Sequence, residues 1–228
     1  MLLYLPHYSL TTCHININYV DPRSLISAPG LVTLELAHYF WRTPLLKSLP
    51  SLVAAYIDTG PDCSDNCKNS SNEDCRLESC TECYGLDGCV LLKGLSGATH
   101  LELINRKTMI FRNDVKWSPM FSKLKTLLLG DWCMTASFSG LVYFLQHSPI
   151  LQRLTLEFGS RSKEFHIETS EIYNPTEQFL VSKHLKAVKI NHKKDDKRIH
   201  QLLKILAYHG IHFEQINIEE TKYHSDRK

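Results

Sequence analysis

The chain has 228 residues, 43% of them apolar, with 26 lysines and arginines against 24 carboxylates and a formal net charge of +2. That length and composition support one good core and argue against disorder. So small a net charge excludes a global field that would draw the protein to nucleic acid or to an acidic membrane. No apolar run reaches the roughly 20 residues that a bilayer-spanning helix needs. The opening MLLYLP lacks a basic n-region and is broken by Pro6, which makes it a poor signal peptide. The eight cysteines are therefore expected to be reduced thiols in the cytoplasm or nucleus.

The first expected strand is Thr12 to Asn18, where His14, Ile15, Asn16 and Ile17 alternate polar and apolar. Nothing ahead of it is polar and amphipathic enough to cover the end of a stack of repeats. The chain is therefore expected to open inside such a stack, with a part upstream missing. From Thr12 onward an L-x-x-L-x-L spacing recurs, clearest at Phe121 to Leu129 with Leu124, Leu127 and Leu129. The other triplets are Thr12, Ile15, Ile17; Leu31, Leu34, Leu36; Leu52, Ala55, Ile57; Ala98, Leu101, Leu103; Leu151, Leu154, Leu156; Leu185, Val188, Ile190; and Phe213, Ile216, Ile218. In Ala28-Pro-Gly-Leu31, Leu49-Pro-Ser-Leu52 and Ser148-Pro-Ile-Leu151 a proline precedes the first apolar position, where it is expected to end one segment and bias the next toward extended backbone. The first residues of successive triplets lie 19, 21, 46, 26, 27, 34 and 28 apart, mostly at or near the roughly 20 to 29 of leucine-rich repeats.

The interval of 46 holds a cysteine-rich acidic stretch, 59–89, expected to be an insertion on one rim. Asp58 to Cys89 contains eight acidic residues and two basic ones. Two helices are expected. Ser137 to His147 carries Phe138, Leu141, Val142 and Leu145 on one stripe before Ser148-Pro149, and Asp195 to His209 carries Ile199, Leu202, Leu203 and Leu206 with Gly210 just past its end. Helices between strand candidates fit parallel strands with helical backs. The fold expected is α/β: a single domain over 1–228, a horseshoe-like leucine-rich-repeat solenoid with irregular helical backs and 178–220 as its terminal repeats.

Gly94-Leu-Ser-Gly-Ala-Thr-His-Leu-Glu-Leu103, Lys116-Trp-Ser-Pro-Met-Phe-Ser-Lys-Leu-Lys-Thr-Leu-Leu-Leu129, Trp132-Cys133 and Phe144-Leu-Gln-His-Ser-Pro-Ile-Leu151 resemble the repeat region of plant F-box proteins with leucine-rich repeats. Lys183 to Glu219 is similar to the small domain that often ends those proteins. The resemblance implies a substrate-presenting module of a cullin-type ubiquitin ligase, joined to it through a Skp-type adaptor. No F-box segment lies ahead of the repeats, so a longer form, a partner, or nothing at all is expected to supply the adaptor-binding part.

For chemistry the cysteine stretch is the one candidate. Cys63 and Cys67, with Cys80 and Cys83, offer two short thiolate pairs for a tetrahedral zinc. The alternative is a reduced acidic insertion without metal, and that is the reading adopted here, with no cofactor expected. A redox role for Cys80 and Cys83 lacks the helix N-terminus that would depress a thiol pKa, and Cys13 and Cys133 read as small hydrophobes. None of the hydrolase, metalloprotease or phosphate-loop signatures occurs, so no enzyme is expected. His147 and His209 are placed at helix C-termini as caps.

What remains is the sheet face, onto which residues alternating with the buried ones must project. Those expected to meet a partner are Glu35, Tyr56, His100, Glu102, Thr126, Leu128, Arg153, Thr155, Glu157 and Lys189, with His14, Asn16, Thr33, Gln215, Asn217 and Glu219 on the same side. A polar face of mixed charge with Tyr56 and Leu128 suits protein recognition. Besides a ligase substrate receptor, the sequence admits a stand-alone or decoy repeat protein and a zinc-stabilised module.

Overall fold

The computed structural model describes residues 2–4, 12–14, 25–37, 43–58, 89–104, 114–115, 119–134, 138–158, 183–194, 196 and 198–221. The larger of two sheets has eight strands: β2 (Thr12–His14), β4 (Thr33–Ala37), β6 (Ala54–Asp58), β7 (His100–Ile104), β8 (Thr126–Leu129), β9 (Arg153–Glu157), β10 (Ala187–His192) and β11 (Ile216–Glu220). Every pairing is parallel, and order across the sheet is order along the chain. The smaller sheet pairs β1 (Leu2–Tyr4), β3 (Leu25–Ser27) and β5 (Leu45–Ser48), again in parallel. The chain thus alternates between the sheets as far as β6. Helices then take over the return segments: α1 (Leu92–Leu95) before β7, α2 (Ser139–His147) before β9 and α3 (Arg198–Tyr208) before β11. Parallel neighbours require a crossover of this kind, because a tight hairpin can join only antiparallel strands.

Two local devices recur. Ahead of five strands a carbonyl accepts the N–H of the residue three further on, as in Leu31 to Ala28, Leu52 to Leu49, Ala98 to Leu95, Leu124 to Phe121 and Leu151 to Ser148, at 3.0–3.2 Å. The acceptor-to-donor span is a four-residue turn, and Pro29, Pro50 and Pro149 occupy its second position, where a fixed φ helps and no N–H is needed. The prolines therefore build turns rather than simply starting extended segments. The second device is a shared acceptor. The Val32 carbonyl takes the N–H groups of both Val53 and Ala54, and Val53, Thr99, Lys125 and Gln152 each do the same for the next pair in line. In the larger sheet the entrances of β6 to β10 are each thereby pinned to the strand before.

The pairing places Leu34, Ala55, Leu101, Leu127, Leu154 and Val188 in one row, and Leu36, Ile57, Leu103, Leu129, Leu156 and Ile190 in the next. All twelve are buried in one contiguous core, each large side chain worth about 1.5–3 kcal/mol in transfer from water. Against that core α1 lies close on β5. A Cβ on Gly94 would come 2.5 Å from the Leu46 Cβ and 2.8 Å from its carbonyl oxygen, so only glycine fits there. The end of α3 is as its sequence promises: Gly210 takes φ +81°, Gly210 N–H donates to Ala207 and Ile211 N–H to Leu206, closing the helix with buried Ile211.

Several expectations need correction. β2 aligns Cys13 with Leu34, so the first triplet sits two residues from its expected place; alternation fixes a strand's parity, and pairing fixes its register. Phe213 was expected to be buried but is 67% exposed in a short 3-10 turn. Ile218, on an edge strand with a neighbour on one side, is 38% exposed. Cys89, expected to close the acidic insertion, is only 2% exposed and belongs to the core. α2 and α3 begin at Ser139 and Arg198 rather than at Ser137 and Asp195, while α1 and the second sheet were not foreseen.

Asp114 is fully buried, and its carboxylate accepts the N–H groups of Val90 (2.7 Å), Leu91 (2.6 Å) and Leu92 (2.8 Å) at the start of α1. Burial raises its pKa above the ordinary carboxyl value, and the three N–H donors pull it back. Arg198 makes a comparable junction. It pairs with Asp196 (2.6 Å) and Asp131 (3.1 Å) and stacks 5.0 Å over the Phe158 ring, so the start of α3 is tied to the turn after β8 and the end of β9. Burial of Asp196 opposes ionisation, but the bonds from Arg198 outweigh it and lower its pKa.

Asp114→Ala strands those N–H groups in the core and is expected to cost at least about 2 kcal/mol in urea unfolding; a loss below about 0.5 kcal/mol would show that other partners satisfy them. Because the folded pKa of Asp196 is lowered, its stabilisation is complete above the unfolded value of about 3.9 and is lost as pH falls through the folded one. The gap between wild-type and Asp196→Asn unfolding midpoints should therefore close on acidification from pH 6 to pH 2. A gap unchanged over that range would refute the ion pair.

Candidate interaction face

The same registers that bury the leucines align the residues between them. One row crosses seven strands as Glu35, Tyr56, Glu102, Leu128, Thr155, Lys189 and Asn217. Beside it run Thr33, Ala54, His100, Thr126, Arg153 and Ala187, and on its other side Ala37, Asp58 and Ile104, then Glu157, Asn191 and Glu219. All ten residues singled out as partner-facing therefore stand on one surface. Their side chains are exposed or half-buried, in contrast to the core rows they alternate with. His14 shares its register with Glu35 through β2.

Tyr56 stands between Glu35 and Glu102 on adjacent strands, with Asp58 two residues further along its own. Burial raises its phenol pKa, and the carboxylates of Asp58, Glu102, Glu35 and Glu157 add to the rise in that order. The ring thus sits in a negative potential. At the other end Lys189 pairs with Glu219 at 2.8 Å, and that bond lowers the Glu219 pKa, helped by the Asn217 amide at 2.9 Å. Between them, the Arg153 guanidinium reaches the Thr126 hydroxyl at 3.4 Å, and the Thr99 hydroxyl lies 2.7 Å from His100 Nδ1.

Asp58, Ile104 and Asn191 share the face but were missed, although each lies two residues beyond a selected position in its own strand, which is the signal that finds them. Gln215 was expected on the face; instead it lies in the 3-10 turn, and its Nε2 donates to the Leu185 carbonyl at 2.6 Å. Asn16 and the cysteines Cys63, Cys67, Cys80 and Cys83 lie outside the described residues, as do 59–88. Among the described residues no three His, Cys, Asp or Glu side chains gather as a metal site. Cys89 and Cys133 are free thiols whose pKa values burial pushes well up, so neither is a thiolate at neutral pH. His147 ends α2 stacked on Tyr143, with Nδ1 2.9 Å from the Tyr143 carbonyl, and His209 is buried just after α3.

No helix among the described residues is long and apolar enough to cross a membrane. No protein-family model, curated protein or solved structure matches the chain.

Adjacent positions on β8 test which side is the face. Leu127 is fully buried and Thr126 half-exposed. Leu127→Asp is expected to abolish folding by burying a charge, whereas Thr126→Asp should stay within about 0.5 kcal/mol of wild type. Circular dichroism of both through a thermal ramp decides it, and equal behaviour would overturn the assignment.

Proposed function

We propose that the chain is a leucine-rich-repeat solenoid that recognises another protein through the Glu35-to-Asn217 face, without catalysing a reaction. Support comes from the recurring turn, the shared carbonyl acceptors and the monotonic strand order, which together repeat one unit along the chain. The observation that carries the function is the single row that sets Tyr56 and Leu128 among charged side chains on adjacent strands. Aromatic and apolar anchors surrounded by polar groups are the make-up of a protein-binding patch. Among the described residues of this surface, no nucleophile, base and orienting group come together as a set.

With the resemblance to plant F-box repeat proteins, the role becomes presentation of a substrate protein to a cullin-type ubiquitin ligase, with the Skp-type adaptor engaged through a longer form. The protein acts in the cytoplasm or nucleus and needs no cofactor. A stand-alone or decoy binder would use the same face without delivering its partner.

A tagged chain passed over extract of its source cells, with Tyr56→Ala/Leu128→Asp as control, tests this. The wild type is expected to retain a specific protein that the folded double variant loses by at least tenfold. Co-recovery of adaptor and cullin carries the ligase role; a specific partner without them leaves the decoy. Retention by wild type and variant alike would remove the face from recognition.

A further inference from the structure

The turns ahead of the strands form a rim of the larger sheet, and their charges are unevenly spread. The shared carbonyl acceptors align Val32, Val53, Thr99, Lys125, Gln152 and Lys186 as one row across the strand entrances. Lys123 and Lys183 add two more cations in the turns ahead of β8 and β10, and Arg153, the first residue of β9, stands between Thr126 and Ala187 in the following row. The four lysines and Arg153 are exposed, and none pairs with a carboxylate among the described residues. Segments 28–32, 49–53, 96–99, 119–125, 148–152 and 183–186 hold no carboxylate, and Glu214, ahead of β11, is the first met along this rim. The face carboxylates Glu102 and Glu157 lie two and four residues past their strand starts. Ahead of β4, β6 and β7 the segments 28–32, 49–53 and 96–99 carry no charge, so the recurring turn itself does not call for lysine.

We propose that this basic rim is a second contact surface, which takes a carboxylate-rich protein segment laid across the entrances of β8, β9 and β10. Strands about 4.8 Å apart set Lys125 and Lys186 about 10 Å from each other, with neutral Gln152 and half-buried Ile150 of the β9 turn between the two basic turns. A single exposed ion pair is weak, so recognition here depends on several acidic side chains engaging the two flanking turns and Arg153 together. Met120, 52% exposed at the start of the β8 turn, and Ile150 add apolar contact, which a peptide side chain can use and a phosphate backbone cannot. A duplex is a poorer fit, because the basic stretch is short beside a helical turn of about 34 Å. Single-stranded nucleic acid draws on aromatic rings for stacking, and among these turn residues no aromatic side chain is exposed: Phe121 is buried. Crowded lysines repel one another in the free protein, and an acidic segment converts that repulsion into attraction and a faster encounter.

Three fluorescent probes test this: a twelve-residue peptide alternating glutamate with leucine and serine, its counterpart with glutamine for glutamate, and a twelve-nucleotide oligo-dT. By anisotropy in 50 mM salt the glutamate peptide is expected to bind at least tenfold more tightly than either of the others, and to lose that advantage in 500 mM salt. Lys125→Glu/Lys186→Glu, shown to be folded by circular dichroism, should weaken it at least tenfold. Lys194→Glu/Lys204→Glu makes the same change in net charge at exposed positions after β10 and on α3, and should leave it within twofold. Glutamate and glutamine peptides that bind alike, equal loss in the two lysine variants, or oligo-dT binding as tightly as the glutamate peptide would each overturn the proposal. The rim stands apart from recognition by the Glu35-to-Asn217 row. Tyr56→Ala/Leu128→Asp leaves all five cations in place and should keep the peptide while releasing the cellular partner, so either surface can fail alone; loss of the peptide in that folded variant would overturn the rim as a separate surface.

Discussion

The constraint on which everything else depends is the carbonyl that serves two donors at the entrance of each strand from β6 to β10 of the larger sheet. Once Val32 binds the N–H groups of Val53 and Ala54, the start of β6 is fixed against β4, and Val53, Thr99, Lys125 and Gln152 pass that alignment onward. Sliding one strand by a single residue would break two hydrogen bonds and turn its leucines to water, so the error cannot be shared out along the sheet. The outward-facing row is therefore as sharply placed as the core.

Away from the strand entrances, alignment depends on charged groups drawn into the interior. Asp114 belongs to the connection between β7 and β8, yet it holds the N–H groups that open α1, ahead of β7. Arg198 likewise joins α3 to Asp131 and Phe158. Each places a charge where leaving it unpaired would be expensive, and so disfavours alternative stackings more than it adds to stability. Both junctions involve return segments that are helical, where side chains vary more than in the strands and a leucine pattern alone does not select one arrangement.

That difference explains what could be read from the amino-acid order. From β4 to β10 the apolar triplets of the larger sheet gave parity and register together, because leucine or its equivalents fill both inward positions of each strand, and a proline or glycine turn marks the starts of β4, β6, β7 and β9. At the ends the text thins: Thr12 and Cys13 carry no strong apolar signal, so β2 was displaced by two residues, and Phe213 looked like a core residue only because it is large and apolar. α1 has four residues, too few for helical periodicity to register. The three strands of the smaller sheet are as short and were hidden between stronger neighbours. Asp114 could not be found at all, since a carboxylate that binds backbone N–H groups from more than twenty residues away leaves no local trace. The face was legible as a set of positions, but its acidic cluster emerged only when the registers set Glu35, Tyr56 and Glu102 side by side.

The division of labour along each strand has a consequence for how function should be sought here. Buried positions must be leucine, isoleucine, valine or alanine whatever the protein binds, so they carry information about fold and almost none about partners. The alternating positions are under no such demand; a lysine at Tyr56 or a serine at Glu102 would leave the core untouched. A sheet solvated on this side would be served equally well by interspersed charges of both signs, which repel least. Three carboxylates around one ring, with no cation on the same three strands, are instead a mutually repulsive arrangement that the packing does not require. Repulsion within this acidic patch would turn into attraction once a cationic group was seated on it, and that difference favours a cation over an anion at Tyr56.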